Sequence, residues 1–215
     1  MINKKYLKNL RCKEINNKND FIFDQYNKRI IDSLDIITIN FKNILILGNH
    51  GNKLQTYINK RYKNSSLIIY DFKEELSKTN INNNKKLKID LDSWLPKDNQ
   101  FDLIISNFYL NIYDNLEIVF KKILHSLSPN GFFLATMPSP ENFNILKSAM
   151  IKTDIQLYGG AYSRFNKTVD LQIIINILKN NNFKIPLVDL DKLHLEYNNF
   201  NNLLLDVRSM NLSYY

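Results

Sequence analysis

Residues 101–137, FDLIISNFYLNIYDNLEIVFKKILHSLSPNGFFLATM, decide the fold of this chain. They contain two short, near-continuous apolar runs, residues 101–107 and 132–137, of the kind found in parallel strands that are covered on both faces. Between these runs, residues 115–127 place apolar side chains at helical spacing on one face, and residues 128–131 (SPNG) predict the end of that helix and a turn. The segment therefore predicts a strand, a helix and a second strand.

The same alternation extends in both directions along the chain. Residues 44–48 (ILILG) and 67–71 (LIIYD) predict two earlier buried strands, and residues 168–181 predict a further amphipathic helix. Strands alternating with helices are typical of an open α/β sheet with right-handed crossovers. No apolar run approaches the roughly 20 residues that a membrane-spanning helix needs, so we expect no transmembrane segment.

The composition predicts one globular domain in a reducing compartment. The chain has 215 residues, of which 44% are hydrophobic, enough for one sizeable core. Its single cysteine, Cys12, excludes an internal disulfide framework and a cysteine-rich metal site. The formal net charge is +8, but the lysines are scattered through a chain rich in Asn and Ile and form no basic stripe with interleaved aromatic residues. This pattern disfavours nucleic-acid binding.

Two features predict a ligand site where the first two strands end. Ligands of open α/β sheets bind beyond the carboxyl ends of the strands. Residues 48–52 (GNHGN) supply two glycines after the first strand, and Asp71 ends the second strand 23 positions beyond Gly48. This spacing is close to that at which an acidic side chain accepts hydrogen bonds from a ribose, and it favours an adenosine-containing ligand. The alternative is a structural turn and a solvated carboxylate.

Residues 101–147 resemble the core of class I S-adenosylmethionine-dependent methyltransferases. The resemblance is to the branch that holds the malonyl-carrier-protein methyltransferase of biotin synthesis and the mitochondrial and alphaproteobacterial complex I assembly factor. The C-terminal part is similar to the assembly-factor pattern, which combines a GG-x-S segment, a helix opened by Asp, D-x-D and D-L-R-x-M-G. The residues that carry this similarity are Gly159 to Ser163, Asp170, Leu171, Asp189 to Asp191, Tyr197 and Asp206 to Asn211.

The resemblance implies a Rossmann-like α/β sheet with helices on both faces. It also implies a flexible basic N-terminal arm, residues 1–20, and a single methyltransferase-like domain, residues 21–215. Family members continue through a further helix to a last, antiparallel strand, whereas this chain stops at Tyr215. We therefore expect the last strand to be missing. Strand five would then expose an unpaired edge, unless a sixth strand near residues 193–197 moves in or a partner supplies one.

The cofactor implied by the resemblance is S-adenosylmethionine. In the family pattern Gly48 is the first glycine of the cofactor loop, Asp71 binds the ribose hydroxyls and Asp90 lies near the adenine amine. Departures in the cofactor loop predict weakened or lost binding: Ile46 replaces the family's acidic residue, and His50 and Asn52 replace two glycines. A loop shifted by one residue would let Gly51 compensate. The cofactor-binding residues expected from the resemblance are Gly48, Asn49, Gly51, Asp71, Phe72, Asp90, Leu91 and Asn107.

The function implied by the resemblance is that of a methyltransferase-like protein acting on a protein partner in respiratory complex I assembly. The alternatives are a protein arginine hydroxylase of a complex I iron–sulfur subunit and a non-catalytic protein with a degenerate methyltransferase fold. Residues 106–109 (SNFY) lack the prolines of enzymes that methylate base amines. The expected location is cytoplasmic, on the matrix side if the protein is organellar, with peripheral attachment to the inner membrane left open.

No catalytic residue is identified from the sequence. Tyr109 and Asn111 follow the fourth strand, so they are pocket candidates or capping and packing residues. His194 and Glu196 have the His-x-acid spacing of some iron sites, with His50 or His125 as a third ligand, but an edge strand with alternating polar residues explains them better, and no metal site is expected. In the C-terminal segment, Arg208 and Met210 are candidates for contact with a protein substrate, and packing of that segment on the sheet is the alternative.

Overall fold

The structure is a computed structural model that describes residues 21–48, 52–71, 84–210 and 212. The described helices are α1 (Phe21–Ile36), α2 (Lys53–Arg61), α3 (Leu116–Ser126), α4 (Asn144–Tyr158), α5 (Leu171–Asn180) and α6 (Phe200–Ser209), with a 3-10 turn at Leu110–Ile112. The strands are β1 (Asn43–Leu47), β2 (Ser66–Asp71), β3 (Lys85–Lys88), β4 (Phe101–Asn107) and β5 (Leu127–Thr136). The predicted N-terminal arm, residues 1–20, lies outside the described residues.

The five strands form one sheet in the order β3-β2-β1-β4-β5, and every neighbouring pair is parallel. This confirms the predicted open α/β sheet. Strand β4 has the predicted bounds, whereas β5 begins before residue 132. Residues 128–131 form a bulge, because the register with β4 shifts between the pairs Phe101↔Leu127 and Leu103↔Phe132. The predicted turn is therefore an irregularity within the strand.

Helices cover both faces of the sheet, as predicted. On one face, α3 and α5 enclose a cluster that includes Leu45, Ile104, Phe120 and Leu178. On the other face, α1 and α2 enclose a second cluster that includes Ile30, Leu34, Ile44 and Ile58. Helix α3 begins where predicted, because the side chain of Asn115 accepts a hydrogen bond from the Ile118 amide at 3.1 Å and caps the first turn. Covering helices on both faces explain why the strands are near-continuous apolar runs.

A third apolar cluster lies beyond the carboxyl end of β4 and joins distant parts of the chain. We call it the closing cluster; its buried residues are Ile22, Phe23, Phe108, Val207, Met210 and Leu212. The Phe108 ring meets Phe23 and Tyr26 edge-on, with centroids 5.9 and 4.9 Å apart. Phe108 has a φ of 48°, a left-handed conformation that is costly for a bulky residue. Its packing between α1 and the chain after α6 offsets that strain.

Two expectations about the sheet edges need correction. Residues 193–197 form no strand, so the expected sixth strand is wrong, and His194 and Glu196 do not lie on a strand face. Within the described ranges β5 is an edge strand and no strand is antiparallel, in agreement with the expected loss of the last strand.

Strand β3 was not predicted, because its sequence KKLK carries only one apolar residue. The strand is held in the sheet by its pairing with β2. No described helix is long and apolar enough to cross a membrane.

Candidate functional site

The strand register brings three predicted site residues into one row at the carboxyl edge of the sheet. Leu47 of β1 pairs with Tyr70 of β2 on one side and with Ser106 of β4 on the other. One residue further along, Gly48 therefore lies between Asp71 and Asn107. This row is the candidate site, and it lies where open α/β sheets bind ligands.

Gly48 begins the turn after β1. Its φ is +82°, a conformation that glycine adopts without strain, and its amide donates to the carbonyl of Tyr70 at 2.8 Å. Asn49, His50 and Gly51 lie outside the described residues, so their predicted roles stay predictions. Ile46 is 4% exposed and packs in the cluster beneath α1 and α2. Apolar packing thus fills the position at which the family has an acidic residue.

Asp71 ends β2 and is 7% exposed. Its backbone carbonyl accepts a hydrogen bond from the Ile89 amide at 3.1 Å, which ties the end of β2 to the chain after β3. Lys86 of β3 is close enough to interact with the Asp71 carboxylate: burial lowers the pKa of Lys86, and Asp71 acts in the opposite direction. An acidic side chain is therefore held at the predicted ribose position. Phe72 lies outside the described residues.

The loop after β3 carries Asp90 and Leu91 and is held by side chains that the sequence did not single out. The amide of Leu91 donates to the hydroxyl of Tyr113 at 3.2 Å, and the Lys122 ammonium donates to the carbonyls of Leu91 and Asp92, both at 2.8 Å. The Asp90 side chain accepts from the Asp92 amide at 3.3 Å. Lys122 fixes the shape of this loop. The sequence pattern alone predicted a solvent-exposed lysine on the polar face of an amphipathic helix.

Asn107 holds helix α1 to the end of β4. Its Nδ2 donates to the carbonyl of Phe23 at 3.2 Å and to Oδ1 of Asn27 at 2.9 Å. Its Oδ1 accepts from the hydroxyl of Thr136 at 2.6 Å. Because protein partners occupy both ends of this amide, the geometry supports a structural role for the side chain. The predicted contact with the cofactor stays a prediction.

Two buried oxygen atoms near the end of β4 have no hydrogen-bond partner among the described residues. They are Oγ of Ser106, a residue that is fully buried, and Oδ1 of Asn111. The Asn111 amide group donates to the carbonyl of Met210 at 3.0 Å, so only its oxygen lacks a partner. Buried polar atoms are almost always hydrogen-bonded in native proteins. Ser106 directly precedes Asn107 of the row, so its unpaired Oγ fits an edge that takes a polar ligand.

The chain after α5 closes over this end of the molecule. The Tyr197 hydroxyl donates to Asp206 of α6 at 2.8 Å, and the Asn166 amide donates to the carbonyl of Leu212 at 2.8 Å. Met210 is buried in the closing cluster, which favours the packing alternative for that residue, whereas Arg208 is half-buried. Val207 and Met210 of the C-terminal pattern thus lie in the closing cluster, and the hydrogen bond between Tyr197 and Asp206 ties α6 to the chain before it.

The buried carboxyl of Asp206 gives this C-terminal closure a pH-dependent contribution to stability. Burial raises the pKa of Asp206, so the folded state holds its proton more tightly than the unfolded chain does. The stabilisation is present below the ordinary pKa of 3.8 and is lost as pH rises through the raised folded value. We expect Asp206→Asn to become more stable relative to the wild type as pH rises from about 4.5 through the raised folded pKa, and the difference to stay constant above that value, measured by urea unfolding.

Asp154→Asn is the matched control for this measurement. Two hydrogen bonds from Arg164, at 2.6 and 2.9 Å, lower the pKa of Asp154. The stabilisation by this ion pair is present above the ordinary pKa of 3.8 and is lost only as pH falls through the lowered value. Asp154→Asn should therefore lower the free energy of unfolding, relative to the wild type, by nearly the same amount at every pH in this range. A pH-independent effect of Asp206→Asn would contradict the expectation.

Other candidates do not belong to the row. Tyr109 is fully buried and packs in the core. His125 pairs with Asp98 near the opposite edge of the sheet, where the Asn99 amide donates to the His125 carbonyl. Within the described ranges, no group of three or more His, Cys, Asp or Glu side chains is placed to hold a metal ion.

A family model described as a methyltransferase domain matches residues 47–135. This range begins at the end of β1 and ends in β5, so it contains Gly48, Asp71, Asp90 and Asn107. Over these residues the chain is similar to methyltransferase domains. The crystal structure of an S-adenosylmethionine-dependent methyltransferase from Mesorhizobium loti has a similar fold, with a TM-score of 0.51 and 14% identity, over 75% of this chain and 82% of that one.

The sequence is also similar to proteins named as mitochondrial arginine-hydroxylases NDUFAF5. The protein of Dictyostelium discoideum is 32% identical over 53% of this chain and 26% of its own length. The human protein is 23% identical over 90% of this chain and 56% of its own length. The chain thus spans about a quarter and somewhat more than half, respectively, of these two relatives. The match over nine-tenths of the chain includes the methyltransferase core and extends beyond it.

Proposed function

We propose that this protein is a class I methyltransferase that binds S-adenosylmethionine at the row of Gly48, Asp71 and Asn107 and acts on a protein partner. The observation that carries the proposal is the placement of a left-handed glycine directly beside a buried acidic residue at the carboxyl edge of the sheet. A glycine lets a ligand approach the backbone closely, and a carboxylate accepts hydrogen bonds from both ribose hydroxyls.

The residues present fit an adenosine-containing cofactor. Asp71 would hold the ribose, and the loop with Asp90 and Leu91, fixed by Lys122, would border the adenine. The unpaired Oγ of Ser106 supplies a buried polar group beside the row. Asn49, Gly51 and Phe72 complete the proposed binding residues. When bound, the cofactor supplies an electrophilic methyl group, and the chain's own contribution is to align that group with an acceptor.

We further propose that the partner is a protein of respiratory complex I assembly, in particular an iron–sulfur subunit. The support is the similarity over 90% of the chain to a mitochondrial arginine-hydroxylase. The same similarity favours a second candidate function, hydroxylation of an arginine on that subunit. The two candidates differ in the group added to the subunit, a methyl group or an oxygen atom.

Calorimetric titration with S-adenosylmethionine and S-adenosylhomocysteine tests the binding proposal. We expect saturable binding in the micromolar range, corresponding to about −8 kcal/mol. No binding by a protein with a cooperative unfolding transition would overturn the proposal and favour a non-catalytic role. Mass spectrometry of the iron–sulfur subunit, after incubation with the protein, cofactor, oxygen and an electron donor, then distinguishes methylation from hydroxylation.

A further inference from the structure

Helix α4 exposes apolar side chains that no described element covers. Asp154 is its only buried residue, whereas Ile151 and Ile155 are 46% and 53% exposed. Ile151, Ile155 and Tyr158 follow the i, i+4, i+7 spacing and lie on one side of the helix. The ring of Tyr162 meets Tyr158 edge-on at 5.7 Å. We call Ile151, Ile155, Tyr158 and Tyr162 the α4 stripe; exposed apolar groups that adjoin one another mark interaction surfaces.

The stripe lies in a positively charged segment. Residues 142–169, all of which the structure describes, contain Lys147, Lys152, Arg164 and Lys167 and one acidic residue, Asp154. Arg164 binds that carboxylate through both of its oxygens. Lys152 is exposed, and it makes no hydrogen bond or ion pair within the described part of the chain. The segment therefore offers an unneutralised ammonium group beside the stripe.

A shallow groove runs next to the stripe along the same helix. It is lined by Asn144, Ile145, Ser148, Ala149 and Lys152. Ile145 is 90% exposed at this groove. The small side chains of Ser148 and Ala149 leave room for a second helix to approach, and the groove with the stripe gives apolar contacts on either side of Lys152.

The arrangement of polar residues favours a protein over a membrane surface as the occupant. On the helix surface Lys152 lies between Ile145 and Ile155, so charged and apolar groups are interleaved. A helix that lies in a membrane interface separates these groups onto opposite faces. A second copy of the chain would bring like charges at Lys152 together, which disfavours self-association.

We propose that the α4 stripe, with Lys152, is the docking surface for an acidic, amphipathic helix of a partner protein. Apolar side chains of that helix would pack on Ile151, Ile155 and the groove, and a carboxylate would pair with Lys152. The inference rests on the proposed function only in identifying the docked protein as the substrate.

The opposite side of α4 links this surface to the candidate site. Leu146 packs with Phe143 and Phe165 against the closing cluster, which contains Phe108 from the end of β4. A protein docked on the stripe would therefore lie beside the end of the sheet at which the cofactor is proposed to bind.

Fluorescence anisotropy with a labelled helical peptide tests the docking surface. The probe is a designed peptide of about 20 residues with leucines at i, i+3, i+4 and i+7 and flanking glutamates. Its scrambled counterpart has the same composition and charge. At about 0.15 M salt, we expect the wild-type protein to bind the helical peptide and not the scrambled one. We expect the double variant Ile151→Asn, Ile155→Asn to weaken binding at least about tenfold, and Lys152→Glu to weaken it severalfold.

Matched variants on another exposed helix keep the test specific. Ile118 of α3 is 52% exposed and Lys121 is also exposed, so Ile118→Asn and Lys121→Glu make the same chemical changes away from the stripe. Equal weakening by these controls, or no binding of the helical peptide, would overturn the proposal. Stripe-dependent binding to phosphatidylglycerol vesicles in place of the peptide would also overturn it. A wild-type dimer that the double variant Ile151→Asn, Ile155→Asn no longer forms would do the same. S-adenosylhomocysteine titrated into the same variants tests the proposed function separately.

Discussion

Asp71→Ala is expected to weaken the binding of S-adenosylhomocysteine by about 30- to 200-fold, or about 2–3 kcal/mol. In the proposed function the carboxylate accepts hydrogen bonds from both ribose hydroxyls, and hydrogen bonds to charged groups are among the stronger ones. Calorimetric titration of the wild type and the variant measures the effect. Asp71→Asn should give an intermediate loss, because the amide keeps one acceptor oxygen and has no charge.

Asp98→Ala is the control for this loss of a carboxylate. Asp98 is exposed and pairs with His125 near the opposite edge of the sheet, so its removal should leave the affinity unchanged. An affinity in Asp71→Ala equal to that of the wild type, with both proteins folded, would mean that the cofactor does not contact Asp71. The row beside Gly48 would then no longer support the proposed function.

Asn107→Ala is expected to lower the free energy of unfolding by about 2–4 kcal/mol. The substitution removes the hydrogen bonds of Asn107 with the Phe23 carbonyl, with Oδ1 of Asn27 and with the Thr136 hydroxyl, in a largely buried region. Each unsatisfied buried group costs about 1–3 kcal/mol, and partial relaxation reduces the sum. Urea unfolding monitored by circular dichroism measures the loss.

Thr136→Val is the matched control, because it removes one of the three hydrogen bonds of Asn107 and keeps a similar side-chain volume. A loss of about 1 kcal/mol is expected. If Asn107→Ala instead abolished cofactor binding and left stability unchanged, Asn107 would be a ligand-binding residue and not the attachment point of α1. The pair therefore separates the two roles that the sequence and the structure suggest for this residue.

Hydrophobic periodicity was sufficient to predict the central strands and the helix between β4 and β5. Strand β4 and helix α3 lie where the pattern placed them, because their apolar residues face cores on the two sides of the sheet. Strand β3 escaped prediction because a four-residue edge strand depends on pairing and not on burial. The expected strand at residues 193–197 failed because alternating polarity does not guarantee a neighbouring strand with which to pair.

At the candidate site, the sequence predicted which residues lie at the carboxyl edge of the sheet. It did not predict the hydrogen bonds that hold this edge. Gly48 and Asp71 could be selected because backbone freedom and an acidic strand end are local properties. The roles of Asn107 and Lys122 were not predictable, since their partners lie 80 positions away at Asn27 and 31 positions away at Leu91. Likewise, the sequence could not show that Phe108 meets the chain after α6.

The composition of β3 has a consequence for the behaviour of the protein in concentrated solution. Three of its four residues are lysines, and β3 is the outermost strand on its side of the described sheet. If this edge met the same edge of another molecule, ammonium groups would face one another, and their repulsion opposes the continuous sheets from which aggregates grow. At physiological ionic strength the screening length is about 8 Å, and it shortens as salt is added. High salt therefore weakens the protection against aggregation at this edge, and moderate salt preserves it.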